Sequence, residues 1–108
     1  MAKLERYINE DFDTLVGRIH NSITQGSISA TFEGSTIWRK GSVKVAHLVF
    51  ERYSYIGNNR VSMSVCLMQQ EGSPVHVSAI TSGGSQAMFF KINTLGEEAF
   101  LEKLVEIL

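Results

Sequence analysis

A chain of 108 residues with 44% hydrophobic content falls at the commonest single-domain size, so one domain with one buried core is expected over residues 1–108. Ten basic against eleven acidic residues leave a formal charge of −1, which excludes a global field that would draw the chain to nucleic acid or to an anionic membrane. The single cysteine, Cys66, excludes an internal disulfide and a four-cysteine zinc site, and fits a reducing compartment.

The opening MAKLERYINEDF lacks an apolar core of signal-peptide length, and no later run approaches the roughly 18 apolar residues that span a bilayer. No membrane partner is expected, and the expected location is the cytoplasm. Lys3 to Ile8 sets Leu4, Arg6 and Ile8 against Lys3, Glu5 and Tyr7, which predicts a short edge strand with mixed faces. Asn9, Asp11 and Asp13 then supply cap oxygens and negative charge where a helix begins. Phe12, Leu15, Val16, Ile19 and Ile23 share one stripe, predicting a helix over Asp11 to Gln25 with Gly26 as a left-handed C-terminal cap. Gly17 inside it costs about 1 kcal/mol of helix propensity relative to alanine, and close packing against a neighbour is the expected reason.

From Ser27 to Ser82 the period drops from about 3.6 to 2, the signature of an antiparallel meander. Glu33-Gly34-Ser35 reads as a turn or bulge, and Arg39-Lys40-Gly41-Ser42 as a turn before a long strand from Val43 to Tyr55. Ile56-Gly57-Asn58-Asn59-Arg60 is the strongest hairpin signal, because Gly and Asn tolerate the positive φ of tight turns. Val61 to Met68 alternates cleanly, Glu71-Gly72-Ser73-Pro74 turns the chain, and Val75, Val77 and Ala79 alternate with His76 and Ser78. After Ser82-Gly83-Gly84-Ser85, the run Ala87 to Ile92 reads as a further strand. A capping box at Thr94 and Glu97 then starts the final helix, with Phe100, Leu101, Leu104, Val105 and Leu108 on its apolar stripe.

The predicted fold is therefore α+β. It is a two-layer sandwich with an antiparallel sheet of five to six strands and two helices on one face, in the order β-α-β4/5-α. That order occurs in folds that resemble the TATA-binding-protein repeat or the helix-grip proteins, a likeness that carries no function. ERYSYIGNNRVS (Glu51 to Ser62), AITSGGSQAMFFKIN (Ala79 to Asn93) and GEEAFL (Gly96 to Leu101) together resemble a family of small uncharacterised proteins of Firmicutes bacteria that spans the whole chain. The resemblance implies a bacterial, cytoplasmic protein and brings no activity, cofactor or site residue with it.

Two stretches qualify as candidate sites. By alternation Arg52 shares a face with Leu48 and Phe50, whereas Glu51 goes with Val49 and Tyr53. One charge thus points where apolar residues point, and Glu51, Arg52, Tyr53 and Tyr55 are candidates for lining a polar ligand pocket, since a buried charge needs a partner. The simpler reading is that the hairpin outruns the core and the charge reaches solvent on its own stem. Gly83, Gly84 and Ser85 could cradle an anion, but phosphate loops feed helix N-termini and the segment downstream reads as extended, which favours a plain turn.

His20, His47 and His76 have no two-ligand spacing, so no metal and no cofactor is predicted. A lone Cys66 between Ser64 and Met68 reads as packing rather than as a nucleophile. A basic excess from Arg39 to Arg60 with Trp38 nearby could bind nucleic acid; solvated strand edges explain it more simply. No titratable residues recur at a catalytic spacing, so the reading leans away from an enzyme. It favours a small binding or protein-interaction module. Trp38, Met68 and Phe89 are candidate apolar groups on the uncovered sheet face, and a homodimer through that face is a natural consequence. The partner would otherwise be an unknown protein or small molecule; the alternative is a helix-grip-type small-ligand carrier.

Overall fold

The computed structural model describes residues 1–26, 29–54, 59–83 and 90–108. Their element order is β1 (Ala2–Ile8), α1 (Phe12–Gly26), β2 (Thr31–Lys40), β3 (Val43–Ser54), β4 (Asn59–Gln70), β5 (Val75–Gly83) and α2 (Phe90–Val105). The strands form one antiparallel sheet in the order β1-β5-β4-β3-β2, with β4 at its centre. The chain is α+β with five strands, the lower of the two expected numbers.

Alternation along each strand decides which face is buried. Leu4, Ala46, Leu48, Phe50, Val61, Met63, Val65, Leu67, Val75, Val77 and Ala79 all point to one side of the sheet. There they meet Phe12, Leu15, Ile19 and Ile23 of α1 and Phe100, Leu101 and Leu104 of α2 in one buried cluster. Both helices therefore lie on the same face.

Helix α1 starts at a cap: the backbone N–H and the hydroxyl of Thr14 both donate to Asp11 Oδ2 at 2.9 Å. Its first turn is also tied to the sheet, because Asp13 pairs with Arg39 of β2 and with Lys44 Nζ of β3, the latter at 3.7 Å. Gly26 remains the last helical residue and does not take the left-handed conformation expected of it; among the described glycines only Gly41 and Gly72 have positive φ, both in hairpin turns. Nor is Gly17 held by close packing, since a Cβ there would meet nothing within 4 Å. The Glu33-Gly34-Ser35 signal is a bulge in β2, where the register with β3 shifts between Phe32 and Gly34.

The last third departs most from expectation. Phe90 to Asn93 are helical, so Thr94 and Glu97 lie inside α2 rather than at its cap, and no sixth strand occurs at those residues. The physical reason is that β5 is already paired on both sides, with β1 and β4, leaving no vacant place beside it. The described part of the run, Phe90 to Ile92, begins α2 instead. Ala87 to Phe89 lie outside the described residues, as do Tyr55 to Asn58 in the predicted hairpin turn. Glu97, freed from a capping role, is only 4% exposed. Its backbone carbonyl accepts the Thr81 hydroxyl at 3.0 Å, and the amino group of Met1 lies against its carboxylate as an ion pair.

Two outcomes follow for α1. Gly17→Ala, with open space at the new Cβ and no positive φ to relieve, raises unfolding free energy by about 0.5–1 kcal/mol in urea titration. The Thr14 hydrogen bonds hold the Asp11 carboxyl below the usual aspartate range. Its contribution to stability is complete above that range and is lost as pH falls through the depressed value. The stability gap between the parent protein and Asp11→Ala, measured by thermal unfolding, therefore closes on acidification.

Candidate functional site: the open face of the sheet

The register brings the ends of the two predicted sites to the same end of the sheet, because Arg52 pairs with Val61 and Val61 with Gly83. Arg52 points to the helical face, half-buried, with its guanidinium 5.0 Å from the centre of the Phe100 ring. Loss of hydration pulls its pKa below the ordinary arginine value. Glu51 and Tyr53 face the opposite way, as strict alternation requires. Glu51 accepts a 2.8 Å hydrogen bond from Arg60 Nε, so the two neighbouring charges never share a pocket. Tyr55, Gly84 and Ser85 lie outside the described residues. The ten steps from Phe90 to Phe100 amount to about 15 Å of helix axis, so Arg52 stands beside the middle of α2.

Among the described residues no helix lies on the other face of the sheet. Cross-strand pairing aligns its outward residues in rows that run across all five strands. One row is Trp38, Val45, Met68, His76 and Tyr7; Trp38, Met68 and Tyr7 are 54%, 47% and 73% exposed. Tyr7 and His76 stack with ring centres 4.6 Å apart, which stiffens that end of the row. The next row is Thr36, His47, Cys66, Ser78 and Glu5, and the one beyond it is Gly34, Val49, Ser64, Ile80 and Lys3. The first row forms a ridge. Between the second and third rows the face is hollow at both edges: a depression of about 330 Å³ lies over the β2 bulge, lined by Gly34, Thr36, His47 and Val49, and one of about 380 Å³ lies between Lys3, Glu5, Ser78 and Ile80.

The polar groups of this face largely satisfy one another. His47 Nε2 and Ser64 Oγ share a 2.7 Å hydrogen bond, and His76 Nε2 lies 3.5 Å from Glu5 Oε1. Arg60 donates to Thr31 as well as to Glu51, and Thr31 donates to Glu33 at 2.5 Å. The outward charges of the strands, Lys3, Lys40 and Arg60 against Glu5, Glu33 and Glu51, balance, so the face has no cationic field for phosphate. Cys66 is exposed at its centre rather than packed. His20 lies on the other side of the sheet, edge-on to Phe32 at 4.5 Å. Among the described residues no group of three or more His, Cys, Asp or Glu could hold a metal ion, and no helix is long and apolar enough to cross a membrane.

Alternation in the sequence identifies Trp38 and Met68 as outward residues. The ridge and the hollows could not be read from it, because they depend on which residue of each strand stands beside which residue of the next.

Arg52 contributes stem packing while its head loses hydration without an ion-pair partner among the described residues. Arg52→Met keeps the stem on Phe100 and removes the charge, so its unfolding free energy in urea is equal to or above that of the parent protein. By contrast, Phe100→Ala, at a fully buried position, costs about 3–5 kcal/mol.

Comparison with curated proteins finds no match, and comparison with solved structures finds none. A family model does match, described as a family of unknown function (DUF6054), over residues 1–108. The chain belongs, along its whole length, to that family of unknown function.

Proposed function

We propose that this chain is a non-enzymatic cytoplasmic binding module whose working surface is the open face of its sheet, and that it self-associates through that face. The observation that carries the reading is the row of Trp38, Val45, Met68, His76 and Tyr7, which lays large apolar and aromatic groups across every strand on the side without helices. Exposed apolar surface rimmed by polar residues is what an interface looks like before its partner arrives. The balanced charge of the face favours a protein partner over nucleic acid. His47, His76, Glu5, Glu51 and Arg60 are engaged in pairs that order the surface, which speaks for binding rather than catalysis.

The helix-grip type of ligand carrier is the second reading, and a TATA-binding-protein-like arrangement of the same elements is compatible with either. A carrier needs room between the sheet and the C-terminal helix. Phe50, Met63, Phe100 and Leu104 occupy that layer and are fully buried in the common core, so the open face is the better supported surface.

Trp38 is the only tryptophan, which makes its fluorescence a direct report on the face. Raising the concentration of the pure protein is expected to shift its emission to shorter wavelength in step with a doubling of mass in light scattering. Met68→Lys, at an exposed position, weakens the association at least about tenfold and leaves the melting temperature of the monomer unchanged. A monomer at every concentration, with constant emission, overturns the reading.

A further inference from the structure

Strand β2 ends the sheet beyond β3 and places no residue in the buried core. Ile37 pairs with Ala46 and so lies on the helical face, yet it is 49% exposed; Trp38 beside it lies on the open face and is 54% exposed. Large apolar groups thus stand uncovered on both sides of one strand, whose outer edge pairs with no other strand among the described residues. A partner on the open face covers only Trp38. A strand laid along the edge covers both residues and takes up the free backbone groups. We infer that this edge is a second interface, independent of the open face, at which β2 pairs antiparallel with β2 of another copy of this chain, Ile37 opposite the partner's Ile37.

The two edges of the sheet differ. β1 carries Lys3, Glu5 and Arg6 and lays Leu4 in the core, a density of charge that keeps edges apart. β2 has no charge from Gly34 to Trp38. The regular part of its edge is bounded at one end by the bulge between Phe32 and Gly34 and at the other by the hairpin turn at Gly41. It runs from Gly34 to Lys40, and an antiparallel copy of these seven residues pairs along its whole length only with Ile37 at the centre. A centre at Thr36 or at Trp38 keeps only five of them. β1 as the occupant would make a head-to-tail contact that does not close on two copies.

That register is self-complementary. On the helical face Ile37 meets its own copy, and Ser35 meets the partner's Arg39, which stays with its own Asp13. On the open face Thr36 lies opposite the partner's Trp38. Lys40 makes no ion pair among the described residues; it comes to lie opposite the partner's Gly34, at the depression that Glu33 also lines. The two-fold axis repeats each contact, so a Lys40–Glu33 attraction closes the seam at both ends and no like charges face one another.

This axis is normal to the sheet, so both open faces point the same way and join into one surface. The two Trp38 residues stand about 8 Å apart across the seam, two residues along and one strand spacing across. Seven residues of edge, about 23 Å long, bury less than the roughly 1,000 Å² of a specific interface. The pair is therefore short-lived, and covalent trapping is the way to catch it.

Every variant for the test carries Cys66→Ser and Met68→Lys, which remove the native thiol and set a charge on the open face. Directly opposed residues have Cα atoms about 4.5–5.5 Å apart, within reach of a disulfide, whereas Thr36 and its copy are about 8 Å apart and are not. In oxidised glutathione, Ile37→Cys is expected to form disulfide-linked dimer at least about tenfold faster than Thr36→Cys. Adding Lys40→Glu to Ile37→Cys sets acidic groups against each other and slows the linking at least about threefold, and Glu33→Lys in the same chain restores it. Melting temperatures check that each variant is folded. Ile37→Cys that links no faster than Thr36→Cys, or a rate indifferent to the exchange of charges, overturns the edge pairing. Neither result touches the open-face reading, which stands or falls with the effect of Met68→Lys alone on the association of the parent protein.

Discussion

The structure depends on the requirement that four of its five strands and both helices share one core from one side only. Because side chains alternate along a strand, slipping any strand by one residue would carry its apolar set out of the core and its polar set in. The inner residues Leu48, Phe50, Val61, Met63, Val65, Leu67, Val77 and Ala79 are fully or almost fully buried, so such a slip would be costly on each of the three central strands. The register of the outer face is a by-product of that constraint. Val45, Met68 and His76 stand in one row because their neighbours Ala46, Leu67, Val75 and Val77 on the inner face must pack together.

The charged groups show the same hierarchy. Several charges that reach water are paired, as Asp13 is with Arg39 and Lys44, and Glu51 with Arg60. Such exposed pairs orient elements more than they stabilise them. Arg52 and Glu97 are the two departures. The first lays its stem along the core and its guanidinium over Phe100. The second is buried inside α2 against the amino group of Met1. Both sit on the helical side, and neither creates a cleft by itself. A charge at an apolar position signals a local compromise in packing as often as it signals a ligand.

A sheet covered on one side leaves a protein with a surface as extensive as its core layer. Here that surface carries a ridge, two hollows and a set of internally paired polar groups, features that complement a second surface of similar relief better than a small molecule. Its charges balance and its histidines are each engaged by a neighbour. The face thus differs in kind from a catalytic cleft, where unpaired groups converge on one point.

Much of the fold was legible in the residue order. Phe12, Leu15, Ile19 and Ile23 at helical spacing, the alternation from Val61 to Leu67, and the glycines at positions 41 and 72 specify α1, β4 and two turns, because each is a local pattern read against a single buried face. Local information ran out where the answer lay in another part of the chain. Phe90 to Asn93 read as a strand by composition, yet no place beside β5 was left for one. Gly17 and Gly26 suggested packing and capping roles that neighbouring atoms did not require. Alternation put Arg52 on the face of Leu48 and Phe50 and Glu51 on that of Val49 and Tyr53, but which of the two faced the core, and that Arg52 met a ring there, depended on Phe100, some fifty residues away. The sequence by itself determined which residues of each strand face outward. Only the tertiary structure decided that they form a ridge beside a pair of hollows, because that relief arises from cross-strand register, which pairs residues far apart in the chain.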